Sequence, residues 1–178
     1  MIEAAISLMR ASGLDGAGIN EIVRESGAPK GSVYHHFPQG KMQIAAEALD
    51  LYSIRVRDFM VAAMAGRRTS ATRVRALFEA FAKRVEEGGF ARSCAVGTVS
   101  LDLTPEVAAL RPRLAALFDD WTTTIASHVD LGDACRTRSY AGPLLTAIEG
   151  AYVRCRAERS SRPFIEAGEW LATLANSR

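Results

Sequence analysis

Helical periodicity is the feature of this sequence that most constrains its fold. Apolar side chains recur at intervals of three and four residues from the first segment onward, as Ile2, Ala5, Ile6 and Met9 illustrate, and this spacing places them on one face of an α-helix. The same spacing continues along the chain, interrupted by short segments rich in glycine, proline or hydroxyl residues. No segment alternates apolar and polar residues as a half-buried strand would. We therefore predict an all-α chain of about nine helices.

The predicted helices are short near the N-terminus and longer in the rest of the chain. One long helix is predicted over residues 41–64. Another is predicted over residues 134–158, in which Pro143 should introduce a kink or a break. Thr69 or Ser70 is the expected N-cap of the helix that follows the first long one.

The change in helix length predicts two domains, a small head over residues 1–45 and a larger helical body over residues 46–178. The chain has 178 residues, of which 48% are hydrophobic, and this is enough for a substantial core. Its formal net charge is only +2, so no strong overall field attracts a polyanion. Any nucleic-acid surface must therefore be local.

The three cysteines, Cys94, Cys135 and Cys155, have neither the even count of a disulfide framework nor the spacing of a zinc site. We expect buried, reduced thiols in a cytoplasmic protein. The sequence has no signal peptide pattern and no run of about 18 apolar residues, which argues against membrane insertion. No cofactor is expected.

The second and third short helices, joined by a turn at Gly27, predict a helix-turn-helix. In such a motif the second helix enters the major groove and its N-terminal residues reach the bases. Lys30 would meet a phosphate or a guanine edge, and Gly31 would let the backbone approach DNA closely. Lys41 would add a full charge to the free amides at the start of the long helix. The candidate DNA contacts are Asn20, Pro29, Lys30, Gly31, Ser32, Tyr34, His35 and Lys41.

Metal binding and catalysis are both disfavoured in this segment. His35 and His36 are adjacent, so on a helix they diverge by about 100° and cannot share a metal ion. No acidic residue lies where it would orient a histidine beside Ser32 for nucleophilic catalysis. We therefore expect neither a metal site nor an enzyme.

The segment INEIVRESGAPKGSVYHHFPQGK (residues 19–41) resembles the helix-turn-helix of TetR-family transcriptional regulators. The family pattern there is an apolar-rich helix, a glycine-containing turn, then Lys–Gly–Ser/Thr–apolar–Tyr–x–His–Phe and a downstream lysine. Residues 93–103 and 147–159 are similar to the lincomycin-resistance-repressor (LmrA/YxaF-like) type within that family. The resemblance implies a ligand-binding and dimerising body behind a head that binds double-stranded operator DNA.

Two features of the sequence depart from the family pattern. The sequence has no basic arm before the first helix, and residues 1–58 carry six lysine or arginine residues against seven aspartate or glutamate residues. Either the start is truncated or phosphate binding rests on few contacts, and the second case predicts a shallow salt dependence. Gly18 occupies the N-cap of the second helix, where the family usually has a hydroxyl residue.

The body is expected to hold a small apolar or aromatic effector between its helices. The alternative for each large apolar residue is an ordinary core position. The candidate pocket residues are Met60, Met64, Phe78, Phe81, Phe118, Trp121 and Leu144. The last two helices are expected to pair with those of a second copy in a four-helix interface. The candidate dimer residues are Ala147, Gly150, Ala151, Tyr152, Trp170 and Leu174.

These features predict a homodimeric, one-component transcriptional repressor. It would bind a near-palindromic operator, with recognition helices about 34–36 Å apart, and an effector would release it. The alternative is a helical small-molecule-binding protein whose head is only structural, which the weak charge of the head favours. DNA binding that an added ligand reverses would distinguish the two functions.

Overall fold

Nine α-helices and one short 3-10 helix account for the secondary structure of residues 1–176, the part of the chain that this computed structural model describes. No strand is present in that range, so the all-α prediction is confirmed. The helices are α1 (Ile2–Ser12), α2 (Ile19–Ser26), α3 (Ser32–His36), α4 (Lys41–Met64), α5 (Ser70–Glu87), α6 (Ala95–Leu101), the 3-10 helix (Pro105–Leu110), α7 (Arg111–His128), α8 (Ala134–Glu158) and α9 (Arg162–Asn176).

The helix ends follow local sequence rules. Thr69 is the N-cap of α5, and its hydroxyl oxygen accepts a hydrogen bond from the backbone N–H of Thr72 at 3.2 Å. The Thr72 hydroxyl oxygen accepts one from the Thr69 N–H in return, which completes a capping box. Gly27 ends α2 with φ of 65°, a left-handed conformation that glycine adopts without strain. Gly18 is the N-cap of α2 and supplies no side-chain hydrogen bond.

Two helical segments contain a proline, and the two prolines have different effects. Residues 105–128 form two helices, a 3-10 helix that ends at Leu110 and α7, which begins at Arg111. Pro112 has no N–H, so it cannot donate the α-helical hydrogen bond to the Ala108 carbonyl. Of the kink or break expected at Pro143, the break is wrong, because α8 runs continuously through it, whereas the kink stays a prediction. Both Pro143 and Ser139, whose carbonyl loses its helical donor, are exposed, so water can satisfy that carbonyl.

The chain forms two compact units. The first contains residues 1–55 and 93–117, and the second contains residues 56–92 and the chain from residue 118 onward. The first unit therefore combines the three short helices with most of α4, with α6 and with the start of α7. Its core includes Met9, Leu14, Ile22, Val33, Ile44 and Leu49. The predicted domain division after residue 45 remains a prediction about which part folds independently.

The second unit is built on the close packing of α5 against α9. Gly168 permits this approach, because a Cβ atom at that position would lie 2.5 Å from Cβ of Phe78. Phe81 stacks on Phe164 at a centroid distance of 5.7 Å, and Tyr152 meets Phe164 edge-on at 5.2 Å. These aromatic side chains fill the core of the unit. None of the helices within residues 1–176 has the length and apolar character that a membrane crossing would need.

Candidate nucleic-acid interface

A helix-turn-helix is present where the sequence predicts it. α2 and α3 are joined by residues 27–31, and Ile22, Val33 and Phe37 are buried beneath them. α3 has only five residues, fewer than two turns of an α-helix. Its inward side is fixed by Val33, whose side chain is fully buried.

The predicted DNA contacts lie on the accessible surface of this motif. Ser32 and Lys41 are half-buried. The Ser32 hydroxyl donates a hydrogen bond to the Pro29 carbonyl at 2.7 Å, so its proton is used within the turn and its oxygen remains as an acceptor. The other predicted contacts are all exposed, namely Asn20, Pro29, Lys30, Gly31, Tyr34 and His35.

The ring of Tyr34 lies beside the start of α4. Tyr34 is 60% exposed, yet one edge of its ring is close enough to Gly40 that a Cβ atom there would lie 3.4 Å from Cε1. Gly40 has φ of 60°, and its N–H donates to the Phe37 carbonyl at 2.8 Å. A side chain at position 40 would therefore strain the turn and crowd the ring.

Gln43 ties the turn before α4 to the helix. Its side-chain oxygen accepts a hydrogen bond from the Gln39 N–H at 3.2 Å, and its side-chain nitrogen donates to Glu47 at 2.9 Å. Lys41 is the first residue of α4, where the backbone amides of a helix lack internal acceptors and carry partial positive charge. A phosphate can thus meet the Lys41 ammonium and the helix N-terminus together.

The two lysines of this surface keep their charge available for a phosphate. Within residues 1–176, no ion pair involves Arg24, Lys30 or Lys41. Arg55 is instead bound to Glu3, with Nη1 2.8 Å from Oε2. The hydrogen bond from Arg55 lowers the pKa of the Glu3 carboxyl.

The Arg10 side chain is also held by contacts within the first unit. Its Nε donates to the Ser93 carbonyl at 3.0 Å, and its guanidinium lies 5.6 Å from the centroid of the Tyr52 ring. A weak overall charge therefore coexists with a local cationic surface.

The adjacent histidines pack against each other. The rings of His35 and His36 have centroids 4.9 Å apart and are nearly perpendicular. Across the described residues, no group of three or more His, Cys, Asp or Glu side chains is arranged to hold a metal ion.

Most of the predicted effector-pocket residues are buried, and their role in an effector site remains a prediction. Six of the seven predicted lining residues are core positions with at most 2% exposure: Met60, Met64, Phe78, Phe81, Trp121 and Leu144. Phe78 and Phe81 belong to the aromatic cluster around Phe164. Phe118 lines an open groove of the second unit.

This groove lies in the second unit between α7 and α8 and has a volume of about 820 Å³. That volume falls within the range of small-molecule sites. Two hydroxyls on its wall are used internally, since Thr122 donates to the Phe118 carbonyl and Thr146 donates to the Gly142 carbonyl. The lining is mainly apolar and comprises Phe118, Thr122, Gly142, Pro143, Leu145, Thr146, Ala147 and Glu149.

The predicted dimer residues separate into two groups. Ala151 and Tyr152 are only 5% and 4% exposed, so they pack inside their own protomer and are corrected to core positions. Ala147 is half-buried, whereas Gly150, Trp170 and Leu174 are exposed.

Val153 is 62% exposed and was not predicted. Its position three residues after Gly150 places it on the same side of α8. That spacing could have identified it.

The chain belongs to the TetR family of bacterial regulatory proteins. The family profile matches residues 1–48, and the profile described as "Transcriptional regulator LmrA/YxaF-like, C-terminal domain" matches residues 70–170. The protein is accordingly a helix-turn-helix transcriptional regulator, and both the predicted family and the LmrA/YxaF-like type are confirmed.

Relatives agree with this assignment. The chain is 28% identical over 170 residues to the uncharacterized regulator Rv0196 of Mycobacterium tuberculosis H37Rv, with 92% of this chain and 86% of that protein aligned. It is 52% identical over 50 residues to LmrA of Bacillus subtilis strain 168, covering 28% of this chain and 27% of LmrA. A cysteine-substituted CifR bound to 26-base-pair operator DNA has a TM-score of 0.84 at 20% identity, covering 97% of this chain and 93% of that one, and it shares the fold.

Proposed function

We propose that this regulator is a homodimeric repressor that binds a near-palindromic operator and is released by a small apolar or aromatic molecule. The observation that carries the proposal is the surface formed by Lys30, Tyr34 and Lys41, because it combines cations without ion pairs, an exposed aromatic ring and a helix N-terminus. The structural neighbour CifR, solved in complex with operator DNA, supports it by analogy.

Pairing of two copies accounts for the palindrome. Trp170 and Leu174 lie four residues apart on α9, and Gly150 and Val153 lie three apart on α8, so each helix presents an exposed face with apolar or small residues. A two-fold contact through these faces would bury them and would present two recognition helices to one operator.

The groove between α7 and α8 is the proposed effector site. Its apolar wall, with Phe118 and Pro143, suits an apolar or aromatic molecule. The hydroxyls of Thr122 and Thr146 already donate to carbonyls, so their oxygens remain as acceptors. We therefore expect an effector with an apolar body and one hydrogen-bond donor.

Substitution of the surface residues tests operator binding. We expect Tyr34→Ala and Lys41→Ala each to lower affinity about tenfold, by loss of a phosphate or groove contact. The measurement is a mobility-shift titration with DNA selected from a random pool, repeated at several salt concentrations. Lys41→Ala should make the salt slope shallower by about 0.9 per subunit, because a phosphate neutralisation is lost. Tyr34→Ala should leave the slope unchanged.

Lys83→Ala is the matched control, since Lys83 is an exposed lysine of the second unit paired with Glu87. It should leave affinity and slope as they are in the wild type. Wild-type binding that both Tyr34→Ala and Lys41→Ala retain would contradict the proposed surface. A compound that raises the melting temperature of the protein should release the DNA in the same assay, and failure of every such compound to do so would contradict the proposed repressor mechanism.

A further inference from the structure

Asp102 is hydrogen-bonded to the loop that precedes the helix-turn-helix, although it lies far from that loop in sequence. It is the C-cap residue of α6, and its Oδ2 accepts a hydrogen bond from the Leu14 N–H at 2.6 Å. The Asp15 N–H lies at 3.5 Å from the same oxygen. A carboxylate oxygen thus serves two backbone donors of the α1–α2 loop, which leads directly into α2.

The loop is shaped to admit this carboxylate. Gly13 has φ of +71°, and a Cβ atom on it would lie 2.1 Å from Asp102 Oδ2. Any side chain at position 13 would therefore both strain the backbone and displace the carboxylate. The Leu14 side chain is 1% exposed, so its amide has little access to water as a substitute acceptor.

The other end of α6 is also bound to α1. The Ser93 N–H donates to the Arg10 carbonyl at 2.8 Å, and the Thr98 hydroxyl donates to the Met9 carbonyl at 2.7 Å. All of these residues belong to the first unit. The segment that comprises residues 93–102 is therefore fastened to α1 and to the loop after it, at both of its ends.

We propose that Asp102 is a positioning residue for DNA binding, which holds the α1–α2 loop and so fixes the orientation of α2 and the recognition helix. The inference rests on the proposed function, because it concerns the operator affinity of the same surface. Without the carboxylate, the loop samples other conformations, and only the fraction of molecules with the correct loop binds the operator well.

The sign of the effect separates this role from a general charge effect. An acidic side chain in a DNA-binding unit repels phosphate, so its removal raises affinity when charge alone matters. A positioning role predicts the opposite for Asp102→Ala, which removes both the charge and the acceptor. Asp102→Asn removes the charge but keeps an oxygen that can accept the hydrogen bond from the Leu14 N–H. Its operator affinity should therefore stay close to that of the wild type.

The experiment compares these variants as full-length proteins in operator titrations. We expect Asp102→Ala to lower operator affinity about tenfold, with an unchanged salt slope, because no phosphate contact is lost. Asp102→Asn should remain within about threefold of the wild type. Glu106→Ala is the matched control, since it removes an exposed acid of the same unit and should not lower affinity.

Amide hydrogen exchange supplies a second measurement. The Leu14 amide should exchange slowly in the wild type and in Asp102→Asn, and faster in Asp102→Ala. A Leu14 amide that exchanges at the unprotected rate in the wild type overturns the proposal even if Asp102→Ala fails to fold. Operator affinity of Asp102→Ala equal to or above that of the wild type also overturns it.

A double substitution completes the test. Gly13→Ala alone strains the backbone and expels the carboxylate, whereas in the Asp102→Ala background it adds only the backbone strain. Asp102→Ala should therefore reduce affinity less in the Gly13→Ala protein than in the wild type, and strict additivity overturns the proposal. A wild-type protein that binds no selected DNA contradicts the proposed function instead, which keeps the two failures distinct.

Discussion

Tyr140 illustrates how a single buried hydroxyl links two helices of the second unit. Its phenol lies on α8 and donates a hydrogen bond to the Leu171 carbonyl of α9 at 2.7 Å. Burial raises the pKa of Tyr140 to about 12, because the phenolate would lose solvation. The hydroxyl is thus held in its neutral, donating form.

Tyr140→Phe should destabilise the protein by about 1 kcal/mol at neutral pH, because the Leu171 carbonyl loses its donor. The folded pKa is raised above the unfolded value, so this contribution of Tyr140 is full below about pH 10. This stabilising contribution should be lost as the pH rises towards 12. The stability difference between the wild type and Tyr140→Phe should therefore narrow above pH 10 in urea unfolding. A difference that is constant from pH 7 to pH 11 would contradict the raised pKa.

At single positions, local rules worked where the signal was local. A turn at Gly27 and an N-cap at Thr69 or Ser70 were predicted from residue types and immediate neighbours. Gly27 is the left-handed C-cap of α2 and Thr69 is the N-cap of α5. Asp102 could not be found in this way, because the amide that it binds is 88 residues distant. A carboxylate after a short helix carries no sequence signal for such a partner.

At the scale of elements, the distance between α5 and α9 depends on one small residue. Gly168 lies on α9 directly against Phe78 of α5, and a Cβ atom there would lie 2.5 Å from Phe78 Cβ and 2.9 Å from its Cγ. Those atoms are the rigid base of a buried ring, so neither helix can relieve the contact without moving.

Gly168→Ala should therefore destabilise the protein by about 1–3 kcal/mol, although alanine favours helix formation. At an uncrowded helix position, the same glycine-to-alanine change would instead stabilise the protein by about 0.5–1 kcal/mol. The sign of the change in the free energy of unfolding therefore reports the contact with Phe78. Urea unfolding of the wild type and of Gly168→Ala measures that sign. A stabilising Gly168→Ala would mean that α5 and α9 are not this close.

The helices also show what apolar periodicity can and cannot predict. The bounds of α4 at Lys41 and Met64 and of α8 at Ala134 and Glu158 agree with the predicted ranges, because long amphipathic patterns are strong signals. The same pattern selected Met60 and Trp121 as candidate pocket residues, and both are buried. An apolar stripe records that a side chain is buried, and it cannot distinguish a neighbouring side chain from a ligand.

At the scale of the molecule, the sequence indicated a head that is not basic overall, whereas the structure shows which of its cations are held by other groups and which are not. Arg10 and Arg55 are held by Ser93 and Glu3 within the first unit, so net charge alone underestimates how selectively Lys30 and Lys41 are presented. Residues 93–117 belong to the same unit as the helix-turn-helix, an arrangement that helix lengths could not reveal.

A substitution at Trp170, the most exposed aromatic residue of α9, tests the proposed dimer. Trp170 is 64% exposed on α9. Exposure of so large an apolar side chain to water is unfavourable unless a partner covers it. Trp170→Glu should leave the helical content of the protomer intact, because the side chain is outside its core. It should convert a dimer into a monomer at micromolar concentration, since two charges would face each other across a two-fold axis. Light scattering coupled to size-exclusion chromatography measures this.

Loss of the dimer should also lower operator affinity at least about a hundredfold, because the second half-site no longer benefits from the first. Leu101→Glu is the control for size, since Leu101 is 84% exposed in the first unit, away from α8 and α9 in sequence. It should not change the mass in solution. A Trp170→Glu protein that remains dimeric with wild-type operator affinity would exclude this face of α9 from the interface. A wild type that is monomeric at micromolar concentration would instead remove the physical basis for a palindromic operator.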